Sequence, residues 1–579
     1  MGETLDSRQK KLVLGTLMLS LFVAALNQTV VATATPRILS DLGGFDRFSW
    51  LFTSFMLANT VVVPLVGKLS DIYGRKPFLT GGLLIFLAGS AACGAAPSMN
   101  ALIAFRAIQG VGGGVIFASV FATIGELFPP AERGKYMGFF TGVFSLASII
   151  GPTAGGFITD HFGWRWVFYV NLPIGVIAIP VILRNLPVHV RGLDRKVDYL
   201  GAALLSAASV CLLLAMVWGG QEYAWSSSQI VGLLAGFAVF LALFLGQEQR
   251  HPEPILPLHL FRNPVFLVAN LLGFAIGIAM FGSISYLPTF VQTSLEASAT
   301  ASGIVTTPQS AGMFVASIVG GQIISRWGRY KLPAVAGTVI VFAAMLLLLQ
   351  ISVGMAKREV AMYMVVLGVG LGLVMPTMSL VTQNAVPFQY LGVASSASQF
   401  FRQIGGVIGA ALFGAILASS YSSSFQEELP PDVRQAIPAE TLAQFDNPTL
   451  ALDPRSFAVV RREITALPDG EALFATATAA LRESVAAATR SIFMWALGVA
   501  GVAVVLALLL KEIPLRHDFA DVAAGPPGTR PAVPGVTGAA PPPGWTEAPG
   551  IAPHATSTEP HAAPVPGAAE ARSESSAPP

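Results

Sequence analysis

Long apolar runs separated by short polar segments dominate the chain. Each run holds roughly 20 residues with few charges, the length that an α-helix needs to cross the hydrocarbon core of a bilayer. The fourteen runs lie near residues 12–34, 48–69, 78–96, 101–123, 136–158, 165–184, 199–218, 229–247, 267–290, 303–324, 332–352, 360–381, 392–418 and 489–510. The pattern therefore predicts an all-α polytopic membrane protein with fourteen spans.

The composition favours the same class. Hydrophobic residues make up 53% and charged residues 11% of the 579 residues, whereas water-soluble proteins carry about 25% charged residues. The net charge of +2 is too small to indicate a nucleic-acid partner. Cys93 and Cys211 lie inside apolar runs and all seven histidines lie outside or at the ends of them, so we expect no disulfide, metal site or cofactor. No nucleophile, base or metal set recurs at workable spacing, so an enzyme is not expected.

Lysine and arginine are distributed unequally between the two ends of the runs. With the amino terminus in the cytoplasm, sixteen of them, among them Arg75 and Arg329, are cytoplasmic and only five, among them Arg37, lie in external loops. By the positive-inside rule, this predicts a plasma (cell inner) membrane protein with both termini in the cytoplasm. Membrane lipids are then its surroundings.

Two segments interrupt the regular spacing. Residues 419–488 carry prolines and many acids and are predicted to form a long external loop, whose later part is rich in helix formers. After residue 515 the chain consists mainly of Pro, Ala, Gly and Ser without apolar periodicity, which is typical of disorder. The predicted division is an amino terminus over 1–11, a six-helix bundle over 12–184, two linker helices with flanking loops over 185–266, a second six-helix bundle over 267–514, and a cytoplasmic tail over 515–579.

A polar segment between the second and third runs recurs 254 residues later. Residues 67–78 read Gly-Lys-Leu-Ser-Asp-Ile-Tyr-Gly-Arg-Lys-Pro-Phe, and residues 321–332 read Gly-Gln-Ile-Ile-Ser-Arg-Trp-Gly-Arg-Tyr-Lys-Leu. Two glycines and an arginine stand at matching positions. A duplicated hinge indicates a duplicated bundle, whereas the simpler alternative is a solvated basic turn.

The first copy is interpreted as a conformational latch. Its glycines permit positive φ and close approach of another helix. Asp71 is expected to reach the amino terminus of the thirteenth run near Gly392, because free N–H groups there attract a carboxylate. The predicted latch comprises Gly67, Asp71, Gly74, Arg75 and Lys76.

The first copy resembles the loop between the second and third spans of the major facilitator superfamily, and the second resembles a degenerate copy from the other half. Spans one to six and nine to fourteen match the 6 + 6 repeat of that family, which leaves two inserted linker helices, as in the fourteen-span drug/proton antiporter branch of multidrug-efflux type. Gly151, Pro152, Gly155 and Gly156 resemble the motif that marks antiporters. The resemblance implies two six-helix bundles, small-molecule export and a role in antibiotic resistance.

The fourth span carries Arg106 and Gln109 in a pattern that is similar to the family's intramembrane arginine motif. An arginine at a helix centre costs roughly 2.5–3.5 kcal/mol on insertion scales, so we expect it to face the interior; snorkelling to the surface is the alternative. The family pattern in span one is Leu-Asp-x-Thr-Val-Val, but here Asn27 replaces the acid. The resemblance implies that this acid pairs with the arginine and binds the coupling proton, and an amide cannot titrate.

No carboxylate lies near the centre of any run. Glu126 and Asp160 are at span ends, and Asp71 is in the hinge. Three alternatives remain open at this point: an uncoupled facilitator, coupling through peripheral acids, and an engineered neutral form in which Asn27 replaces a natural acid. The expectation that protons are partners in transport therefore rests on the family resemblance alone.

The favoured function is export of lipophilic or amphipathic compounds through a central cavity between two bundles in a monomer. No cluster of charges indicates a charged substrate, and flexible methionine and aromatic surface suits adaptable binding. The cavity candidates are Phe52, Met56, Phe144, Tyr286, Gln309, Met375, Gln383 and Arg402, together with Gln109. Arg402 either lines the cavity or pairs with a neighbour. Competing functions are lipid or glycolipid export and, from another class, a receptor or scaffold that binds through residues 419–488.

Overall fold

A computed structural model describes residues 6–43, 47, 49–187, 197–220, 222–448, 450–452 and 454–515. These residues form helices joined by short connections, and they contain no named β-strand. The helices are α1 (Ser7–Leu42), α2 (Trp50–Tyr73), α3 (Arg75–Gly94), α4 (Met99–Leu127), α5 (Pro130–Phe162), α6 (Trp166–Tyr169), α7 (Asn171–Asn185), α8 (Tyr199–Trp218), α9 (Ser228–Arg250), α10 (Pro264–Thr293), α11 (Ala299–Trp327), α12 (Lys331–Leu348), α13 (Lys357–Asn384), α14 (Leu391–Glu428), α15 (Pro431–Ala436), α16 (Ala439–Gln444), α17 (Pro454–Thr465) and α18 (Gly470–Leu509). The predicted all-α class is confirmed.

Thirteen segments of the described chain are long and apolar enough to cross a membrane, with α6 and α7 counted as one interrupted span. The fourteenth is α11, which is 29 residues long but contains no 18-residue stretch as hydrophobic as those of the thirteen. This helix packs between α5 and α13, so much of its surface faces protein and needs less hydrophobicity than a lipid-facing helix. The protein is a multi-pass membrane protein, and fourteen spans agree with the sequence pattern.

The helices form two groups joined by a pair. In the first group, α4 packs against α2 and α3, and α1 packs against α5 and α7; in the second, α11 packs against α13, α10 against α14, and α18 against α10, α12 and α14. Between them, α8 and α9 pack on each other, and α8 contacts α2 and α14. The two groups meet mainly where α5 lies along α11 and α2 lies along α14. Side chains on these four helices can therefore respond to relative movement of the groups.

Several boundaries differ from the predicted ones. The first helix begins at Ser7, inside the segment 1–11, because Asp6 caps it and forms a capping box with Gln9. The external loop predicted over 419–488 is shorter and partly helical, because α14 continues to Glu428 and α18 begins at Gly470. Ala-rich sequence favours the extension of α18. Residues 516–579 of the predicted tail lie outside the described residues.

Candidate functional site

Asp71 lies in the last turn of α2 and binds the first turn of α14. Its two carboxylate oxygens accept hydrogen bonds from the backbone N–H groups of Gly392 and Val393, each over 3.0 Å. These N–H groups have no partner within their own helix, and the helix dipole makes that end positive. Asp71 is 7% exposed, so little water competes for the carboxylate. The contact joins the two helix groups through a single buried charge.

Arg75 holds the Asp71 carboxylate from the other side. It forms an ion pair with Asp71, its Nε lies 3.1 Å from Glu126 Oε1 on α4, and its Nη1 donates to Ser70 Oγ. The chain turns from α2 into α3 at Gly74, whose φ of +91° favours glycine. One guanidinium thus bridges two buried carboxylates and links α2, α3 and α4. We call Asp71, Arg75 and Glu126 the hinge cluster, and the end of the protein that carries it the hinge face.

Lys76, in contrast, does not contact α14. Its Nζ donates to the carbonyl oxygen of Leu183 over 2.6 Å, near the carboxyl terminus of α7. A cation at that end of a helix is favourable because the last carbonyls lack intrahelical partners. The structure therefore places Lys76 within the first helix group, away from the rest of the predicted latch.

The second copy of the hinge makes an equivalent contact with different chemistry. Ser325 stands where the first copy has Asp71, and its Oγ donates to the carbonyl oxygen of Ala131 at the start of α5 over 2.7 Å. Gly321 packs against Gly134 and Gly138 of α5, as Gly67 packs against the start of α14. The internal repeat is thus visible as two helix crossings on the hinge face, one linked by the Asp71 carboxylate and the other by the Ser325 hydroxyl.

Gln383 adds a further link between the two groups. Its Nε2 donates to the carbonyl oxygen of Phe121 over 3.0 Å and to Ser395 Oγ over 2.8 Å. The residue is 1% exposed and lies near the hinge cluster rather than in the wall of the central cavity where it was predicted. The two groups are therefore in close contact across the hinge face.

A second buried polar group lies inside the first helix group. Arg106 is 1% exposed; its Nη1 lies 2.6 Å from Asn27 Oδ1 and 2.9 Å from Gln109 Oε1, and its Nε donates to the carbonyl oxygen of Leu51. The guanidinium also lies over the ring of Phe55, 4.3 Å from the centroid. Burial rather than snorkelling is thus the outcome for this arginine.

Neutral groups surround Arg106. No carboxylate among the described residues lies within 4.0 Å of its guanidinium. Asn27 Nδ2 is buried and has no hydrogen-bond partner in the described part of the chain. An unpartnered buried donor is costly, and a carboxylate at this position would have no such donor. The surroundings of residue 27 therefore suit a carboxylate, which has only acceptor oxygens, better than an amide, which also carries a donor NH₂ group.

Between the two groups lies a contracted central cavity of about 40 Å³. That is room for a few water molecules. Its wall comes from α1, α4 and α5 of the first group and from α11, α13 and α14 of the second. The wall residues are Leu21, Phe117, Phe121, Phe140, Thr141, Phe144, Met313, Met375, Ser379, Gln399 and Arg402. Of the predicted cavity residues, Phe144, Met375 and Arg402 are in this wall.

The other predicted cavity residues lie elsewhere in this conformation. Phe52 and Met56 are half-buried on α2, the hydroxyl of Tyr286 donates to the carbonyl oxygen of Ala410, and the backbone of Gln309 packs against Gly368. Gln109 belongs to the Arg106 group. Residue type alone does not predict which face of a helix lines the cavity, because a span that is apolar on all sides gives little indication of the face that points toward the protein interior.

Sequence reasoning missed most of the aromatic wall. Phe117 and Phe121 are four residues apart on α4, and Phe140 and Phe144 are four residues apart on α5, so each pair lies on one helical face. This spacing was the available signal. The residues described here contain no group of three or more His, Cys, Asp or Glu side chains placed to hold a metal ion.

Comparison with known proteins assigns the family. A sequence model of the Major Facilitator Superfamily matches residues 17–410. The chain belongs to the Major Facilitator Superfamily. It is 39% identical over 435 residues to the multidrug transporter protein MdtP of Bacillus subtilis. The aligned region covers 75% of this chain and 80% of that protein. This chain is 38% identical over 418 residues to multidrug resistance protein 3 of the same organism, covering 72% and 81% of the two chains.

The fold comparison agrees with this assignment. The crystal structure of the human organic anion transporter MFSD10 (TETRAN) matches with a TM-score of 0.54 at 15% identity, over 85% of this chain and 99% of that one. At this identity the match shows the fold alone. The protein is therefore a transporter of the Major Facilitator Superfamily with multidrug-efflux relatives, and not an enzyme.

The glycines of the α5 motif in this superfamily member face different surroundings. A Cβ on Gly155 would overlap Thr33 Oγ1 and lie 2.9 Å from the carbonyl oxygen of Val30 on α1, whereas nothing lies within 4 Å of a Cβ on Gly156. Gly151 likewise packs against Thr29 of α1. The predicted close helix approach therefore applies to Gly151 and Gly155 but not to Gly156.

This difference gives a matched pair of variants. We expect Gly155→Val to lower the free energy of unfolding by about 1–3 kcal/mol, the usual cost of overpacking, because the backbone of α1 cannot move aside as a side chain can. Gly156→Val introduces the same side chain at a position where nothing lies within 4 Å of the added Cβ, and it is expected to be neutral within error. Thermal unfolding of the purified variants in one detergent measures both. Equal melting temperatures for the two variants would contradict the assigned packing.

Proposed function

We propose that the protein exports lipophilic or amphipathic small molecules across the plasma membrane by alternating access. The observation that carries the proposal is the central cavity, whose wall is shared by two helix groups that touch through the hinge cluster on one face. Breaking that contact would open the cavity to the hinge face. The multidrug names of the Bacillus subtilis relatives support drugs as the substrates.

The proposed orientation puts the hinge face in the cytoplasm, with both termini on that side, in the cell inner membrane. The distribution of lysine and arginine supports it. On the opposite half of the protein, a pocket of about 700 Å³ is lined by α5, α11 and α13, and its lining includes Ile149, Ile304 and Val365. Contact on the hinge face together with this gap corresponds to the outward-facing form. The protein is proposed to act as a monomer surrounded by membrane lipids.

Coupling to protons is the part of the family mechanism that this chain supports least. Asn27 occupies the place beside Arg106 where a titrating acid would sit, and an amide does not exchange a proton in this way. We propose that transport by the chain as written depends weakly on a proton gradient. The alternative acids on the hinge face are Asp71, which contacts α14, and Glu126, which is joined to Asp71 through Arg75.

Lipid or glycolipid export is a second candidate, favoured by the same 700 Å³ pocket. Most of its lining residues are apolar, among them Ala311, Val315 and Val369, and it lies between helices of the two groups, as an acyl chain entering from the bilayer would require. The receptor or scaffold interpretation is not retained, because the family is one of transporters and much of the segment 419–488 belongs to α14 and α18.

Transport in inside-out vesicles tests the proposal. Lipophilic fluorescent dyes that differ in charge, and a fluorescent phospholipid, would be added outside the vesicles with and without an imposed proton gradient. Uptake above that of vesicles lacking the protein is expected for a dye, with little response to the gradient. Uptake of the phospholipid alone would favour the second candidate, and no uptake of any compound would contradict export.

A further inference from the structure

Arg402 brings a positive charge to the central cavity. The side chain lies in the cavity wall, and its one hydrogen bond within the described structure goes to Gln399 Oε1, a neutral amide on its own helix. No carboxylate belongs to the wall. The two alternatives that the sequence left open thus hold together: the arginine lines the cavity and also bonds a neighbour, which is a neutral amide and not an acid.

The polar part of the cavity is rich in unused donors. A guanidinium has five N–H donors, and only one bond is made. Gln399 is 3% exposed, and its Nε2 has no hydrogen-bond partner in the described part of the chain. Buried donors without acceptors are costly, and an intramembrane charge without a counter-charge is costlier. A ligand that supplies negative charge and acceptor oxygens would satisfy both residues.

The rest of the wall is apolar and aromatic. The rings of Phe117 and Phe144 lie 6.4 Å apart edge to face, and those of Phe121 and Phe140 lie 6.5 Å apart. Met313 and Met375 complete this surface with flexible side chains that adapt to different shapes. A ligand that fits the cavity thus has a lipophilic body as well as an acidic group.

The Arg106 group gives the interior a second positive charge. Because Asn27 is neutral, no described carboxylate compensates this guanidinium either. One buried guanidinium, one partly buried guanidinium and the absence of a carboxylate beside either in the described structure disfavour a lipophilic cation, since desolvated like charges repel strongly at short range. The same arrangement favours an anion.

We propose that the central cavity recognises lipophilic anions, compounds with an aromatic or aliphatic body and one carboxylate or similar acidic group, which Arg402 and Gln399 bind through charge-assisted hydrogen bonds. The proposal rests on the export function and specifies its substrate class. It revises the expectation from sequence that no charge selects the substrate. The contracted cavity would have to enlarge as the hinge face opens in order to admit such a compound.

Three probes with one aromatic body test this selectivity directly. Pyrenebutanoate, pyrenebutanol and pyrenebutylammonium differ only at the end of the chain, and their binding to the full-length protein in phosphatidylcholine nanodiscs is followed by pyrene fluorescence. The butanoate is expected to bind about 10- to 100-fold more tightly than the ammonium compound, the range that a hydrogen bond to a charged group gives. Equal affinity for the anion and the cation, or tighter binding of the cation, would overturn the proposal, whatever any variant does.

Substitutions assign the selectivity to Arg402. Arg402→Gln is expected to lose at least about tenfold in affinity for the butanoate and little for the alcohol, whereas Arg402→Lys keeps part of the preference because the charge remains. Arg358→Gln removes an exposed arginine at the start of α13 and serves as the matched control. An unchanged preference for the anion in a folded Arg402→Gln protein would overturn the assignment.

Transport of the same probes separates this proposal from the export function. Vesicles that export the alcohol and the ammonium compound but not the butanoate would leave export standing and overturn anion selectivity. Absence of transport for all three probes would contradict export, while the nanodisc affinities would still decide which charge the cavity prefers.

Discussion

Asp71→Asn is expected to shift the resting population toward the form that is open on the hinge face. The carboxylate accepts two hydrogen bonds at the amino terminus of α14, and neutralising it removes its attraction to the helix dipole. That attraction is worth up to about 2 kcal/mol in a partly buried site, which corresponds to a change of up to about 30-fold in the ratio of the two forms.

Spin-label distances across the hinge face measure this shift. Labels at Lys135 on α5 and at Arg329 after α11 are both exposed and lie on opposite helix groups, in a background without Cys93 and Cys211. Asp160→Asn makes the same chemical change at an exposed position at the far end of α5 and is the matched control. Identical distance distributions for Asp71→Asn and the unaltered protein would reject the latch.

Ser325→Ala compares the two copies of the hinge. Its hydroxyl makes one neutral hydrogen bond to Ala131, worth about 0.5–1.5 kcal/mol at most, without a helix dipole or ion pair. We expect a smaller change in the same label distances than for Asp71→Asn. A larger change would show that the crossing of α5 and α11 determines the resting form.

The parts of the site that the sequence predicted well depend on polar residues in apolar surroundings. Asp71 beside a predicted helix start, and Asn27 opposite Arg106, could be placed because a buried polar group needs a partner and few partners exist in the spans. The positive φ of Gly74 could be predicted for the same kind of reason, since the turn between two helices requires a residue that tolerates it. In each case a physical requirement, either a partner for a buried polar group or a positive φ in a turn, can be met by few residues of the sequence.

The apolar parts could not be placed in the same way. In a membrane both the lipid-facing and the protein-facing sides of a helix are apolar, so Phe52 and Met56 looked as suitable for the cavity as Phe117 and Phe140. The position of Lys76 depended on where α7 ends, and the surroundings of Gly156 depended on which side of α5 faces α1. Such properties follow from the rotation of each helix about its axis, which composition does not specify.

Asn27→Asp is expected to make transport depend on the proton gradient. Asn27 Oδ1 lies 2.6 Å from Arg106 Nη1, and the amide nitrogen has no partner in the described structure, so a carboxylate fits the site without loss of a hydrogen bond. The guanidinium favours the ionised form of the introduced acid and desolvation favours the neutral form; a change of access can therefore tip the balance and move a proton. Substrate binding should survive, since the group keeps its shape.

Export by the two proteins is compared at imposed gradients of zero, one and two pH units. For one proton per cycle, each unit is worth about 1.4 kcal/mol, so substrate accumulation by Asn27→Asp should rise by up to about tenfold per unit. The unaltered protein should respond little, and Asn27→Gln, which adds length without a titrating group, should also remain unresponsive. If the unaltered protein already drives uphill export on the gradient, the coupling acid lies elsewhere. Asp71 and Glu126 are then the positions to test, because Asp71 makes the contact with α14 that must break when the hinge face opens and Glu126 is joined to Asp71 through Arg75.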